Sequence, residues 1–279
     1  VTDSLVVAIC TCRPDDLAAR WEHNLEQLAG DEFVVVFDCV ESASVTAVAD
    51  RIRSAGGTVV SHGATRGLAA ARNTVLDRWP DRRILFIDDD VLLDRKAADA
   101  LRQAFAEGAN VVGTRLVPPE RFRRHPWYFT SGQMHLVGWH PPGPEVKTWG
   151  ACMGIDAAFA HQHGLRFDMR LGRTGRRLES GDDTSFVAAM KAAGAREQLL
   201  PDVHVVHDVD PRRLTTGYLA RRAYWQGRSE VRRQQAMTGL RKEWRRYRQP
   251  GRAALLAPAY LLAFAVGIGH ELVVTRRSG

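Results

Sequence analysis

The sequence predicts an α/β fold: an open, mixed but mostly parallel sheet flanked by helices. Two observations carry that reading. Short apolar runs at residues 5–10, 33–37, 58–60 and 84–87 have the length of strands, and helical stretches separate them. Strands alternating with helices are joined by crossovers, which lay the strands parallel and the helices over both faces. The runs also end in polar groups: Thr11 after the first, Asp38 after the second and Asp88-Asp89-Asp90 after the fourth. In open sheets of this kind ligands sit outside the carboxyl ends of the strands, so one site can use all three.

Taken in order, residues 5–10 form the first strand, the turn Thr11-Cys12-Arg13-Pro14 closes it, and residues 15–29 have a helical pattern. Residues 33–37 and 58–60 are the next strands, and residues 66–78, rich in Ala and Leu, read as a helix. The run at 84–87 stops at three carboxylates, helical sequence resumes at 95–107, and 110–113 is another strand. Beyond about residue 115 the pattern changes. Pro118, Pro119, Pro126, Pro141, Pro142 and Pro144 break the chain, with Trp127, Tyr128, Phe129, Trp139 and Trp149 between them. Such a region is loop-rich; its aromatics suit stacking on sugar faces, and equally suit covering a sheet edge. Residues 184–193 are helical and 203–206 strand-like; residues 218–248 are helical and basic.

Composition narrows the class. A chain of 279 residues, 45% hydrophobic and 25% charged, is long enough to bury a full core and is not a disordered one. The net charge of +7 is unevenly placed, with Arg and Lys crowded between residues 212 and 252, which points to an anionic partner. Cys10, Cys12, Cys39 and Cys152 include no paired metal-type spacing and read as buried, reduced thiols. No charged-then-apolar signal opens the sequence, so a cytoplasmic location is expected.

Three adjacent carboxylates at a strand tip repel one another, and water, a proton or a cation must relieve them. Asp88 and Asp90 have the Asp-any-Asp spacing, which suits a hard divalent ion whose remaining positions go to water and to the phosphates of a substrate. A solvated turn or the start of a helix would also accommodate the acids.

The order Thr11-Cys12-Arg13-Pro14, Asp38, Arg66-Gly67-Leu68-Ala69-Ala70-Ala71-Arg72-Asn73, Asp88-Asp89-Asp90, Trp149-Gly150-Ala151-Cys152-Met153 and Gly181-Asp182-Asp183 resembles family 2 of the nucleotide-sugar glycosyltransferases. The resemblance covers roughly residues 5–230 and implies the Rossmann-like GT-A fold. It implies a nucleotide-sugar donor, UDP-linked in the first instance, and Mn2+ or Mg2+ as cofactor. Thr11, Arg13 and Pro14 would frame the nucleotide base and Asp38 would accept from a base N–H. Arg66 and Arg72 would clamp phosphate or base oxygens, Asp88 would contact the ribose with Asp89 in support, and Trp149 would line the donor site. Asp90 and His207 would hold the metal. The second acid of the family's Glu-Asp pair is the general base of an inverting single displacement. Here that position is Asp183, and Asp182 stands where Glu is usual, which leaves open which of the two removes the proton. His204, on the opposite strand face from His207, reads as structural. Arg212, Arg213, Arg221 and Arg222 suit phosphate contact, or a solvated basic helix.

The resemblance divides the chain into a glycosyltransferase domain at 1–235, with a nucleotide-binding half at 1–115 and an acceptor and catalytic half at 116–235, and a helical tail at 236–279. In the tail Arg241, Lys242, Arg245, Arg246, Arg248 and Arg252 precede an apolar stretch at 253–274 that Pro258, His270 and Glu271 interrupt. Basic residues beside an apolar helix fit attachment to an anionic leaflet, at about 1 kcal/mol for each; packing on the protein or in an oligomer fits as well. The acceptor would be a glycan, a lipid-linked precursor or a small molecule. Nucleic acid is not an expected partner: a basic binder with a non-catalytic fold of this type leaves both acid clusters unexplained. Aspartate phosphatases place their acid pair after the first strand, which does not fit here.

Overall fold

In the computed structural model, residues 4–28, 30–122, 126, 128–175, 177–247 and 256–277 are described. Trp127, Arg248, Arg252 and the start of the apolar tail at 253–255 lie outside them, as does the side chain of Arg246.

An eight-stranded sheet runs through the molecule. Its strands are β1 (Val6–Thr11), β2 (Glu32–Phe37), β3 (Thr58–Ser61), β4 (Arg83–Ile87), β5 (Val91–Leu92), β6 (Val111–Val117), β7 (Cys152–Asp156) and β8 (Glu197–His207), in the spatial order β3-β2-β1-β4-β7-β6-β8-β5. β1 pairs parallel with β2 and β4, β2 with β3, and β6 with β8; β7 runs antiparallel between β4 and β6, and β5 antiparallel to β8. From β1 the chain builds outward through β2 and β3, then returns to the other side of β1 for β4. That reversal opens a crevice at the carboxyl ends of β1 and β4.

Helices cover both faces, and successive residues of the central strands pack into different layers because strand side chains alternate. Val7, Ile9, Val35, Phe37, Leu85 and Ile87 meet α2 (Trp21–Glu26), α3 (Ala43–Ser54) and α5 (Arg95–Ala106) on one face. Val6, Ala8, Val34, Val36, Ile84 and Phe86 meet α4 (Leu68–Arg78), α7 (Ala157–Gln162) and α8 (Asp182–Ala192) on the other. The helix expected at 15–29 is two short ones, α1 (Pro14–Ala18) and α2. The break at Arg20, whose φ is −137°, lets its guanidinium reach the Asp208 carboxylate at 3.0 Å and seats Asn24, which bonds the Val91 carbonyl and the Leu93 N–H, both at 2.9 Å. The strand expected at 110–113 extends to Val117 and the one at 203–206 spans Glu197–His207.

A third core lies beyond the sheet, where α6 (Ser131–Val137) packs against α9 (Thr216–Arg232), α10 (Ala236–Tyr247) and α11 (Ala257–Arg277). Phe129 and Trp139 are buried here, covering protein rather than facing solvent. α9 and α11 cross with backbone against backbone: a Cβ on Gly227 would collide with the Phe264 carbonyl, and one on Gly267 with that of Tyr224. Beside that crossing Glu271, interrupting the apolar pattern, is buried and pairs with Arg228 at 2.6 Å and Arg232 at 2.7 Å.

Candidate active site

Each strand at the crevice ends in a group that the backbone aims outward. Asp38 follows β2, and its N–H continues the ladder by donating to the Thr11 carbonyl at 2.8 Å. Its buried carboxylate accepts the N–H groups of Arg66 (2.9 Å) and Gly67 (2.7 Å) and faces His62 Nδ1 at 2.8 Å. Asp38 therefore pins the loop that leads into α4. Arg66 contributes its backbone to this, while its side chain is exposed and lines neither cavity described below.

The three acids after β4 have separate surroundings. Asp89 turns under the first strand end, accepting from the Thr11 hydroxyl and pairing with Arg13; burial pushes its carboxyl up to about 6, with Arg13 acting against the rise. Pro14 occupies the first turn of α1, next to Arg13, which also pairs with Asp16 at 2.8 Å. Asp90 is buried too, but His207 (2.9 Å), Arg213 (3.1 Å) and Arg13 (3.4 Å) surround it. Burial alone would raise its carboxyl; those cations hold it well below the usual carboxylate range. Asp88 is half-buried, and one ligand atom from each of Asp88, Asp90 and His207 lies within 4.8 Å of the other two.

That set fits a divalent ion. Two carboxylates and an imidazole are hard and borderline donors suited to manganese or magnesium. His207 Nδ1 lies 3.1 Å from the Gly138 carbonyl, an N–H bond that leaves Nε2 toward the acids, which is how ligating histidines are oriented. Asp88, expected from the resemblance only as a ribose contact, stands among the potential ligands.

Arg72 works inside the protein. Its guanidinium pairs with Asp182 at 2.6 Å, donates to the Gly150 carbonyl at 2.9 Å and lies 3.5 Å from Asp88, over the rings of Phe167 and Phe86. Only glycine at 150 allows this approach, since a Cβ would collide with the guanidinium. Asp182 is buried, and burial raises its carboxyl while Arg72 opposes the rise. Asp183 faces the other way. It is half-buried, and its carboxylate accepts the N–H groups of Gly150 and Thr184, both at 2.7 Å, beside open space.

Two cavities meet here and share Leu68, Asp88 and Arg173. The smaller, about 210 Å³, is lined by Thr11, Arg13, Asp38, Asp89, Arg213 and Tyr218. The larger, about 320 Å³, is lined by Arg72, Trp149, Asp182, Asp183, His207 and Arg222 among others, and α10 closes it with Gly239, Lys242 and Glu243. Trp149 stacks on His140 at 4.0 Å, and burial lowers the His140 pKa to about 4, so the platform behind the tryptophan is neutral. Of the cysteines, Cys10 and Cys152 are buried, whereas Cys12 is exposed and lines the smaller cavity, because it sits past the end of β1. Of the four arginines considered for phosphate contact, Arg213 and Arg222 point inward, and Arg212 and Arg221 are exposed. Arg173 and Tyr218 were not legible as site residues. The only signal for Arg173 is its place in the basic, glycine-containing stretch at 171–177.

A family model, Glycosyl transferase family 2, matches residues 4–162. Succinoglycan biosynthesis protein ExoM of Rhizobium meliloti (strain 1021) is 27% identical over 206 residues; the match takes in 71% of this chain and 63% of ExoM, so the chain spans less than two thirds of that relative. Among solved structures, the mannosyltransferase PcManGT from Pyrobaculum calidifontis, in complex with GDP-Man and Mn2+, aligns with a TM-score of 0.62 at 17% identity, over 95% of this chain and 86% of that one. S. aureus TarS 1-349 aligns with a TM-score of 0.53 at 15% identity, over 99% of this chain and 92% of that one. At these identities the two structures speak to the fold.

Proposed function

The chain belongs to glycosyl transferase family 2 and has the GT-A fold, and from that premise we propose that it moves a sugar from a nucleotide-activated donor to an acceptor hydroxyl by metal-dependent, inverting displacement. The observation that carries this reading is the placement of Asp183, an acid open to the larger cavity, in the same cleft as Asp88 and His207 of the possible metal group. In this reading the nucleoside occupies the smaller cavity, between Thr11, Arg13 and the loop pinned by Asp38, and the sugar and acceptor occupy the larger. Residues 1–115 then supply most of the donor site and residues 116–235 the catalytic groups, while the tail closes the cleft through α10.

Asp183 takes the proton of the acceptor hydroxyl as that oxygen bonds to the anomeric carbon and the bond to the diphosphate breaks on the opposite face. Its two backbone N–H bonds hold the carboxylate in one orientation. Asp182 positions: through Arg72 it ties α8 to the strand end that carries Asp88. A divalent ion held by Asp88, Asp90 and His207 would neutralise charge on the departing diphosphate.

Calorimetric titration tests the donor assignment. UDP, with GDP as the comparison, is expected to bind more tightly with manganese than with chelator, and Asp90→Asn is expected to lose that difference. A variant with unchanged manganese dependence would remove Asp90 from the ligand set; no binding of any nucleoside diphosphate would end the donor-site reading.

We further propose that the tail rests on the anionic face of a membrane at the cytoplasmic side, in keeping with a glycan or lipid-linked acceptor. α11 is long and apolar enough to cross a membrane, with mean hydropathy 1.6 over Ala257–Arg276, but the buried Glu271 pairs bind it to the body of the protein. Its outer face exposes Leu262, Val266 and Val273, and α10 exposes Met237, Arg241 and Trp244 at helical spacing, with Lys242 and Arg245 beside them. The two acids of these helices, Glu243 and Glu271, are both buried, so the charge on those exposed faces is positive. Sedimentation with anionic vesicles is expected to carry the protein down, less so for Trp244→Ala with Arg241→Ala, and not with neutral vesicles. Equal binding to both vesicle types would rule out this surface.

A further inference from the structure

Asp183 stands on the first turn of α8, and the residues before it, 178–181, lie outside strand and helix. One face of α9 holds them in place. Ser229, fully buried, accepts the Ser180 N–H at 3.0 Å, and the Gln226 side chain accepts the Ser180 hydroxyl at 2.8 Å. Arg233 donates to the Ser185 hydroxyl at 3.0 Å, and its stem runs so close to Gly181 that a Cβ there would come within 2.7 Å of it. Arg232 pairs with the buried Glu179 at 2.7 Å and donates to the Arg170 carbonyl at 2.9 Å. These four side chains recur at helical spacing and grip the chain on both sides of Asp183.

Arg232 has a further partner. Its Nε reaches Glu271 of α11 at 2.7 Å, and Glu271 also takes Arg228 at 2.6 Å, so charges alternate along a largely buried chain from Glu179 through Arg232 and Glu271 to Arg228. Burial would raise the Glu271 carboxyl; its two arginines hold it below its ordinary value instead. For stability alone such a chain is a poor device, because well-packed apolar side chains join two helices as well or better. What it adds is direction: a guanidinium bonded to carboxylates along two edges has one orientation. Neither Arg232 nor Glu271 lines a cavity, whereas Glu179, Ser180 and Asp183 line the larger one. The chain of charges therefore starts in the tail and ends in the wall of the site.

We propose that Arg232 is a positioning residue for Asp183 and that Glu271 braces it, which makes the tail helix α11 a part of the active site with or without a membrane. This rests on the reading of Asp183 as the base. Without the brace Glu179 and the Ser180-Gly181 turn are free to drift, and an acid displaced by about 1 Å from its reacting partner costs on the order of a hundredfold in rate.

The test compares Glu271→Gln and Arg232→Gln with the wild-type full chain, without vesicles. Amide hydrogen exchange over residues 179–185 should quicken in both variants while the central strands keep their protection, a result that stands whichever sugar the protein prefers. Release of UDP from UDP-glucose, with water as the acceptor, should fall roughly ten- to a hundredfold per folded molecule, with UDP affinity in manganese within a few-fold of the wild type. Arg232→Lys should recover part of the loss, since one ammonium cannot face both carboxylates in a fixed geometry. On the Asp183→Asn background Arg232→Gln should lower the residual turnover no further, because it acts through that acid. Phe264→Leu weakens the packing of α11 and leaves its ion pairs, so it should lower the melting temperature without changing exchange at 179–185 or turnover. If a glutamine variant does not fold, Ser229→Ala, which removes the acceptor of the Ser180 N–H, takes its place. Wild-type exchange at 179–185 in these variants, or an equal effect of Phe264→Leu, refutes the brace. Full turnover by Asp183→Asn would instead remove the base reading on which the proposal rests.

Discussion

Asp183→Asn is expected to lower the rate of sugar transfer by about 10²–10⁴-fold, the contribution typical of a positioned general base. Asparagine keeps the size of the side chain but only one of the two oxygens that accept the Gly150 and Thr184 N–H groups, so it keeps one of those bonds, and with its oxygen turned to Gly150 the loop that carries Gly150 should hold its place. Titration with nucleoside diphosphate and manganese should then give an affinity within a few-fold of the wild type. The loss belongs in kcat, because an interaction with the moving proton is made in the transition state and not in the bound ground state. Asp182→Asn provides the contrast. That acid is buried against Arg72, and its neutralisation should reduce stability more than it reduces the rate per folded molecule. If Asp183→Asn retained full transfer, or lost nucleotide binding along with it, Asp183 would not be the base.

Arg72→Met is expected to destabilise the protein by about 3–5 kcal/mol, the range for removing one partner of a buried ion pair. Methionine fills much of the arginine stem, so lost volume contributes little. What remains is Asp182, buried with no cation, and a Gly150 carbonyl without its donor. Denaturant unfolding should show the midpoint falling without a change in slope. Transfer should fall in the surviving folded fraction as well, since Arg72 also lies 3.5 Å from Asp88 and ties α4 and α8 to the tip of β4. A double change, Arg72→Met with Asp182→Leu, should recover part of the stability, because no charge is then left alone. A single variant as stable as the wild type would show that the pair is balanced by solvent in the cleft.

Much of the first 115 residues was legible because it rests on local signals. Apolar runs of strand length that end in Thr11, Asp38 and Asp88 announce a parallel sheet with its functional edge, and the structure has that sheet. The second half offers fewer such signals. β7 and α6 fall among prolines and aromatics, where neither period dominates; in the first half β5, two residues long, gives no run to read. The break between α1 and α2 is a tertiary override: Arg20 and Asn24 make bonds to Asp208, Val91 and Leu93 that an unbroken helix is not arranged to make. Arg66 and Arg72, six residues apart, were both expected to clamp phosphate or base oxygens, yet one is exposed and the other sealed against Phe86 and Phe167.

By itself the sequence determined the strand runs that became β1–β4 and β6, the helices near 66–78 and 95–107, the family, and the identity of the acids at the strand tips, because each is a property of neighbours along the chain. The tertiary structure alone decided what those acids can do. Adjacent residues at a helix start point about 100° apart, so Asp182 and Asp183 had to diverge, but only the packing of α8 against Arg72 turns the first inward and leaves the second in the cleft. His207 reaches Asp90 across 117 residues of chain, and Arg173 reaches the junction of the two cavities from a loop with no motif of its own. Contacts of that range depend on how the elements close on one another, which no local pattern records.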